Sequence, residues 1–151
     1  MTRWLGIDHG SRRIGVAVSD ANGSIASPLK VIAAEPLARA FEWIAALTAE
    51  YGASGVVVGW PLNMDDTEGP QGALVRRFAI DLAEATGLDV RLWDERLTSA
   101  AADAKLAGLY TRKKKKARQD AVAAATILGD FLAAGGPDAA PTAAEAVPPR
   151  I

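Results

Sequence analysis

The sequence contains no cysteine, which excludes disulfides and cysteine-ligated zinc sites. It also lacks a run of the roughly 18 apolar residues that a membrane span requires. The first residues enter a strand-like segment directly, without the apolar core of a signal peptide. We therefore expect a cytoplasmic protein that has no contact with a membrane.

The chain also lacks an excess of charge of either sign. Its 151 residues, half of them apolar and 23% charged, suit one soluble globular domain. The net charge of −1 does not by itself indicate that the protein binds nucleic acid. The basic residues are unevenly distributed, however, since six of the 17 fall within residues 112–118. This basic run predicts a local anion-binding surface. The alternative is a solvated loop that contacts nothing.

The apolar pattern predicts an α/β fold with a mixed five-stranded sheet flanked by helices. Five strands are predicted, at residues 4–9, 14–19, 25–32, 56–58 and 89–93. The first three form an antiparallel meander, and the last two are parallel because a helix joins them. Helices are predicted at residues 36–51, 69–86, 98–107 and 118–134. Residues 1–134 then form one domain, and residues 135–151, which have few large apolar side chains, are predicted to be a disordered tail.

Three carboxylates stand at positions where functional groups are common. Asp8 ends an apolar strand, Glu95 follows another strand, and Asp120 opens the helix predicted after the basic run. Acids at strand ends lie at the edge of a sheet, where ligands bind. If the fold brings these three together, they form an oxygen-ligand site suited to Mg²⁺ or Mn²⁺.

Each of these acids also has an ordinary structural explanation. Asp8 could be a turn residue, since Asp-X-Gly is common in turns. Asp94 and Glu95 could both favour the start of the following helix through its dipole, and spacing alone does not separate them. Asp120 within a first helical turn is favoured electrostatically in the same way.

Several other side chains are candidates for contact with a nucleic acid. Asn63 could bond a ribose or a phosphate, and Arg96 could pair with an acid or a phosphate. Trp60 could stack on a base, although a loop tryptophan more often covers the core. His9 is predicted to be structural, because alternation turns it away from Asp8. The residues predicted to bind nucleic acid are Arg12, Arg13, Asn63, Arg96, Arg112, Lys113, Lys114, Lys115 and Lys116.

Four segments in this order resemble the YqgF family, the pre-16S rRNA nucleases related to Holliday junction resolvases. The segments are residues 5–20 (LGIDHGSRRIGVAVSD), 57–64 (VVGWPLNM) with 67–69 (TEG), 94–98 (DERLT), and Asp120 with the apolar positions that follow it. The resemblance covers residues 3–133. Any one of these motifs is weak, whereas the four together are specific.

The resemblance implies a ribonuclease H-like fold, with Asp8, Glu95 and Asp120 as the catalytic, metal-binding acids. It also implies maturation of the 5′ end of small-subunit rRNA in the cytoplasm. Three positions depart from the family pattern. His9 stands where an aromatic residue is frequent, Asp66 where glycine is usual, and Trp60 where the residue is smaller. These departures bear on substrate fit rather than on the chemistry.

The leading hypothesis is a Mg²⁺- or Mn²⁺-dependent endonuclease that processes the 5′ end of pre-16S rRNA. Its expected partners are structured RNA or branched DNA and ribosomal precursor particles, and it would act as a monomer or a homodimer. Three alternatives stay open: a Holliday junction resolvase, a non-cleaving RNA-binding assembly factor, and an actin-like ATP-binding protein. The last of these usually needs two domains, and 151 residues supply one.

Overall fold

The computed structural model describes residues 2–97 and 112–146, and over residues 112–119 it describes the backbone alone. The strands are β1 (Arg3–His9), β2 (Arg13–Ser19), β3 (Ala26–Ala33), β4 (Ala53–Trp60) and β5 (Val90–Asp94). The α-helices in these ranges are α1 (Leu37–Tyr51), α2 (Gly69–Thr86) and α3 (Arg112–Ala133). Short 3-10 turns occupy Glu95–Leu97 and Gly136–Ala139. The helix predicted at residues 98–107 lies outside the described residues.

The five strands form one mixed sheet in the order β3-β2-β1-β4-β5. Strands β1, β2 and β3 pair antiparallel, while β1 with β4 and β4 with β5 pair parallel. Pro28, which cannot donate a ladder hydrogen bond, lies in the edge strand β3. The predicted mixed sheet, with a meander followed by parallel strands, is confirmed.

The two faces of the sheet have separate apolar layers. One layer packs strand residues such as Leu5, Ile7 and Val58 against α1 and α2. The other packs Trp4, Ala17, Val57 and Trp93 against α3, through Ala124, Leu128 and Phe131. Full burial of a side chain such as that of Phe131 contributes about 1.5–3 kcal/mol. Among the helices described, none is long and apolar enough to cross a lipid bilayer.

Helix α3 begins earlier than the sequence pattern predicts. It starts at Arg112 rather than at residue 118, so the basic run is helical. Lysine and arginine are good helix formers, which explains why the helix extends through them. Asp120 consequently lies about two turns inside the helix rather than in its first turn. The helix dipole, whose effect fades within one turn, therefore does not account for an acid at this position.

The prediction of a disordered tail is wrong for residues 135–146. The Leu92 amide donates to the Pro141 carbonyl at 3.1 Å, and the Ala143 amide donates to the Val90 carbonyl at 2.8 Å. Ala143 and Ala146 are buried in the core. This segment has few large apolar residues, but small alanines fit closely against the edge of β5 and cover its unpaired backbone groups. Residues 147–151 lie outside the described residues.

Candidate active site

Asp8 lies at the carboxyl end of β1, the central strand, on the face that α3 covers. Alternation along the strand places Trp4, Gly6 and Asp8 on one face. Trp4 packs against Phe131 of α3, with ring centroids 5.1 Å apart. Strand β1 pairs with β2 on one side and with β4 on the other. Asp8 therefore stands in the middle of the sheet edge at which ligands bind in open α/β sheets.

Glu95 follows β5 directly and covers the end of β4. A Cβ atom at Gly59 would lie 2.5 Å from Oε1 of Glu95 and 2.6 Å from Cδ1 of Ile127 on α3. Because β4 lies between β1 and β5, this position brings the Glu95 carboxylate across the sheet toward Asp8. The glycine at residue 59 leaves the space that Glu95 occupies.

The electrostatics of Glu95 indicate that a positive charge would be stabilising here. Three influences raise its pKa to about 7: burial is the largest, followed by the negative charge of Asp8 and then that of Asp94. All three disfavour the ionised carboxylate. A cation bound between Glu95 and Asp8 would act in the opposite direction and keep both acids ionised.

Asp94, although next to Glu95 in the sequence, is held by an arginine. Nε of Arg96 lies 3.1 Å and 3.2 Å from the two carboxylate oxygens of Asp94, and its Nη2 lies 2.9 Å from Oδ2. Nη1 of Arg96 also donates to Oδ1 of Asp66 at 2.6 Å. Both oxygens of Asp94 are thus engaged, which distinguishes it from Glu95 in a way that sequence spacing does not.

Asp120 reaches the same region from α3. Its main-chain carbonyl packs directly on Gly15, so closely that a Cβ atom there would overlap it. Gly15 is the cross-strand partner of Asp8. The carboxylate of Asp120, however, accepts a hydrogen bond of 3.0 Å from Nε of Arg13. The backbone of Asp120 therefore lies against the strand position that pairs with Asp8, while its side chain is turned to Arg13.

These acids suit a divalent metal by their chemistry. Carboxylate oxygens are the ligands that Mg²⁺ and Mn²⁺ prefer, and the raised pKa of Glu95 reflects a negative cluster that a cation would neutralise. Within residues 2–97 and 120–146, no three acidic or histidine side chains are grouped closely enough to bind an ion. Glu95 is thus within electrostatic reach of Asp8, while Asp120 packs on the strand partner of Asp8 and is paired with Arg13.

A cleft of about 260 Å³ opens beside Asp120. The residues that line it are Gly10, Ser11, Arg12, Arg13 and Asp120. Arg12 is exposed in the turn between β1 and β2, so two of the residues predicted to bind nucleic acid lie at this cleft. The predicted contacts from Arg112 and Lys113 to Lys116 concern side chains outside the described residues.

Asn63 and Arg96 are engaged within the protein. The side-chain nitrogen of Asn63 donates to Oγ1 of Thr67 at 2.7 Å, within the loop between β4 and α2. The guanidinium of Arg96 is neutralised by Asp94 and Asp66. Both residues therefore have a structural role that is independent of any nucleic acid.

The three departures from the family pattern have local explanations. Asp66 has a φ angle of 68°, a left-handed conformation in which glycine is usual. Trp60 is buried and donates to the Gly72 carbonyl at 3.2 Å, as expected of a tryptophan that covers the core. His9 stacks on Phe78 with ring centroids 4.3 Å apart, and burial lowers its pKa. Phe78 belongs to the layer of α1 and α2, so His9 lies on the face opposite Asp8.

Sequence reasoning missed the roles of Gly15, Gly59 and the pairing of Arg13 with Asp120. The two glycines interrupt apolar strands, which is a signal of close approach by another segment. The partner of Arg13 is 107 residues away in the sequence, and no local pattern reports such a contact.

Comparisons with known proteins agree on one family. The profile of the RuvX family, described as Holliday junction resolvase, matches residues 2–134. A protein of Chloroflexus aurantiacus named "Putative pre-16S rRNA nuclease" is 50% identical over 129 residues, which are 85% of this chain and 84% of that one. A protein of the same name from Geobacillus thermodenitrificans is 44% identical over 133 residues, 86% of this chain and 96% of that one.

The fold is also similar to that of a solved structure, RuvC. RuvC of T. thermophilus, solved in complex with a Holliday junction substrate, superposes with a TM-score of 0.56 at 14% sequence identity. The similarity covers 94% of this chain and 99% of the RuvC chain. At this identity the comparison concerns the fold alone, and it confirms the predicted ribonuclease H-like class.

Proposed function

The chain belongs to the RuvX family of nucleases, and from that membership we propose a divalent-metal-dependent endonuclease that matures the 5′ end of pre-16S rRNA. The observation that carries this proposal is the electrostatic contact between Asp8 and Glu95 at the sheet edge. An acid whose pKa is raised by burial and by a neighbouring carboxylate, as that of Glu95 is, is typical of a functional site. Processing of a ribosomal precursor places the proposed activity in the cytoplasm.

Asp8, Glu95 and Asp120 would hold one or two Mg²⁺ or Mn²⁺ ions. When bound, such ions activate a water molecule and stabilise the negative charge that develops on the phosphate and the leaving oxygen. Asp8 and Glu95 supply the negative field that attracts the ions. The Glu95 side chain fills the space over Gly59, close to Ile127, and this packing would help to orient its carboxylate.

Basic residues around the acids would bind the phosphodiester backbone. Without them, a cluster of carboxylates would repel an anionic substrate. Arg12 is exposed at the cleft beside Asp120, and the run from Lys113 to Lys116 precedes Asp120 on the same helix. Phosphate contacts of this kind recognise structured RNA by shape rather than by sequence.

A branched DNA junction is the second candidate substrate. The observation that favours it is the shared fold with RuvC, which was solved on a Holliday junction. Relatives at 50% and 44% identity are instead named for pre-16S rRNA, and such identities carry more functional information than a fold similarity at 14%. We therefore give precedence to the ribosomal precursor, either as RNA or within a precursor particle.

The direct test is cleavage of a 16S rRNA fragment with its 5′ leader, with Mg²⁺ or Mn²⁺ present. We expect Asp8→Asn to reduce the rate by at least about 100-fold, since the transition-state charge loses its stabilisation. Asp130→Asn is the matched control, because Asp130 lies about 15 Å further along α3 than Asp120. Full activity of Asp8→Asn would exclude this site.

The same cleavage assay distinguishes the proposed nuclease from a Holliday junction resolvase and from a non-cleaving assembly factor. A four-way DNA junction is offered to the wild-type protein under identical conditions. Cleavage of the junction without cleavage of the RNA would identify a resolvase. Binding of RNA with no turnover in any metal would identify an assembly factor.

A further inference from the structure

We propose that Arg13 holds the carboxylate of Asp120 away from Asp8 and Glu95 until a divalent cation displaces the arginine and completes the site. Arg13 is then a positioning residue for Asp120. The inference rests on the proposed function, because it takes the three acids as metal ligands.

The main chain of Asp120 is held close to Asp8, as the proposed role of Asp120 as a third metal ligand requires. Its carbonyl packs on Gly15, which pairs with Asp8 across β1 and β2. Cα atoms of such cross-strand partners are about 4.5–5.5 Å apart. Helix α3 is fixed at this point by main-chain contact, so it has no need to move when a metal binds.

The side chain of Asp120, in contrast, is not in the position of a third metal ligand. Arg13 and Gly15 lie on one face of β2 because residues two apart share a face. The guanidinium of Arg13 thus stands on the same face as the acids, and its Nε donates to Oδ2 of Asp120 at 3.0 Å. The part of the chain described with side chains contains no three-acid group close enough for an ion. Rotation of the Asp120 side chain toward Asp8 would add a third carboxylate to the site.

A divalent cation can compete with this ion pair. The side chains of Arg13 and Asp120 are 36% and 22% exposed, and pairs with this degree of solvent access are weak. A bound ion carries twice the charge of the guanidinium and is attracted by Asp8 and Glu95 as well.

Release of Arg13 also has a consequence for the substrate. The cleft beside Asp120 is lined by Arg13 together with Arg12 and the turn residues Gly10 and Ser11. An arginine that has lost its carboxylate partner presents a planar fork of donors suited to phosphate. Metal loading would thereby turn Arg13 into a phosphate ligand at the edge of the site.

The test is Mn²⁺ affinity without nucleic acid, measured by titration calorimetry on the full chain. We expect Arg13→Gln to bind Mn²⁺ about fivefold more tightly than the wild type, because the competing guanidinium is gone. This change corresponds to roughly 1 kcal/mol at 1.4 kcal/mol per tenfold. Arg12→Gln removes the same charge from the neighbouring position, and we expect it to change the affinity less than about twofold. An Arg13→Gln affinity equal to or weaker than that of Arg12→Gln overturns the inference.

Asp8→Asn, measured in the same titration, separates this inference from the proposed function. Loss of Mn²⁺ binding in Asp8→Asn, with no gain in Arg13→Gln, would overturn only the role of Arg13. Unchanged binding in Asp8→Asn would instead contradict the proposed metal site itself.

Two further measurements test the inference, and the second uses the wild-type protein, so that it does not depend on the folding of Arg13→Gln. In the Asp120→Asn background, Arg13→Gln should give no additional gain in affinity, since the pair is already broken. In a crystal of the wild-type protein soaked with Mn²⁺, the distance from Arg13 Nε to Asp120 Oδ2 should increase from 3.0 Å to beyond the 4.0 Å limit of an ion pair. An unchanged distance with the metal bound overturns the inference.

Discussion

The main-chain carbonyl of Asp120 rests directly on Gly15, so that helix α3 and strand β2 meet without an intervening side chain. This contact determines how far Asp120 lies from Asp8, the cross-strand partner of Gly15. The atoms that a Cβ at residue 15 would meet belong to the main chain of Asp120 and Ala121. Main-chain atoms of a packed helix cannot move aside as a flexible side chain can.

Gly15→Ala should therefore damage both stability and the site. We expect the free energy of unfolding to fall by about 3 kcal/mol, the upper end of the cost of overpacking, and cleavage to be lost with it. Gly129→Ala is the matched control on α3, since its Cβ would meet only the Cβ of Ala26 at 3.8 Å. Urea unfolding should show the control unchanged or more stable by up to about 1 kcal/mol. Equal stability of the two variants would contradict the close packing at Gly15.

Gly59→Ala should affect the site more than the stability. A new Cβ there meets the side chains of Glu95 and Ile127, which can shift. We expect a loss of about 1 kcal/mol in the free energy of unfolding and an affinity for Mn²⁺ reduced at least about tenfold. Calorimetry for the metal and urea unfolding for the stability measure the two effects separately. If Gly59→Ala retains the wild-type affinity for Mn²⁺, the packing of Glu95 over Gly59 does not position its carboxylate for the metal.

The pKa of Glu95 predicts how the metal-free protein responds to pH. Its value of about 7 in the folded chain exceeds the value of about 4.3 expected when unfolded. The folded state thus binds the Glu95 proton more tightly than the unfolded state does. The contribution of this proton to the free energy of unfolding is fully present below pH 4 and is lost as pH rises through 7. In EDTA, we expect the free energy of unfolding to fall by on the order of 2 kcal/mol between pH 5 and pH 8.

Glu95→Gln should remove most of that decline, and Glu42→Gln, which alters an exposed glutamate of α1, should retain it. Added Mn²⁺ should restore the wild-type stability at pH 8 more than at pH 5, because ligands bind metal in their deprotonated form. The measurement is urea unfolding at each pH. A decline in Glu95→Gln as large as that of the wild type would assign the pH dependence to other groups.

The sequence was sufficient for the order of the elements within the described residues, because each of these elements carries its own periodic signal. Alternation along β1 also separated Asp8 from His9 correctly, since neighbouring strand residues point to opposite faces. Glu95 and Asp94 were different, because Arg96 could pair with either acid. Arg96 pairs with Asp94, the last residue of β5, and also with Asp66, which lies 30 residues away in the sequence. A contact between segments that are far apart in the sequence produces no local sequence pattern, so it cannot be predicted from the sequence alone.

The two wrong predictions have a common physical origin. Helix α3 begins at Arg112 and not at residue 118 because lysine and arginine favour helices, so the helix extends through the basic run. The tail is ordered over residues 135–146 because Ala143 and Ala146 fill small spaces at the sheet edge. In both cases a segment without large apolar side chains forms ordered structure.

The ordered segment after α3 depends on Arg91 of strand β5. Nη1 of Arg91 donates to the carbonyls of Pro137 and Ala140 at 3.0 Å and 3.1 Å, and so holds the segment in place. We expect Arg91→Met to reduce the free energy of unfolding by about 1–3 kcal/mol, the cost of losing hydrogen bonds from a charged donor. The amides of Leu92 and Ala143, which bond across this edge, should exchange faster with solvent.

Arg77→Met is the control for this change. Arg77 pairs with Asp81 on the exposed surface of α2, and such a pair contributes less than about 0.5 kcal/mol. Hydrogen exchange followed by mass spectrometry should therefore show faster exchange at Leu92 and Ala143 in Arg91→Met alone. Unchanged protection of these two amides in Arg91→Met would mean that the backbone pairing and the buried alanines hold the segment without the arginine.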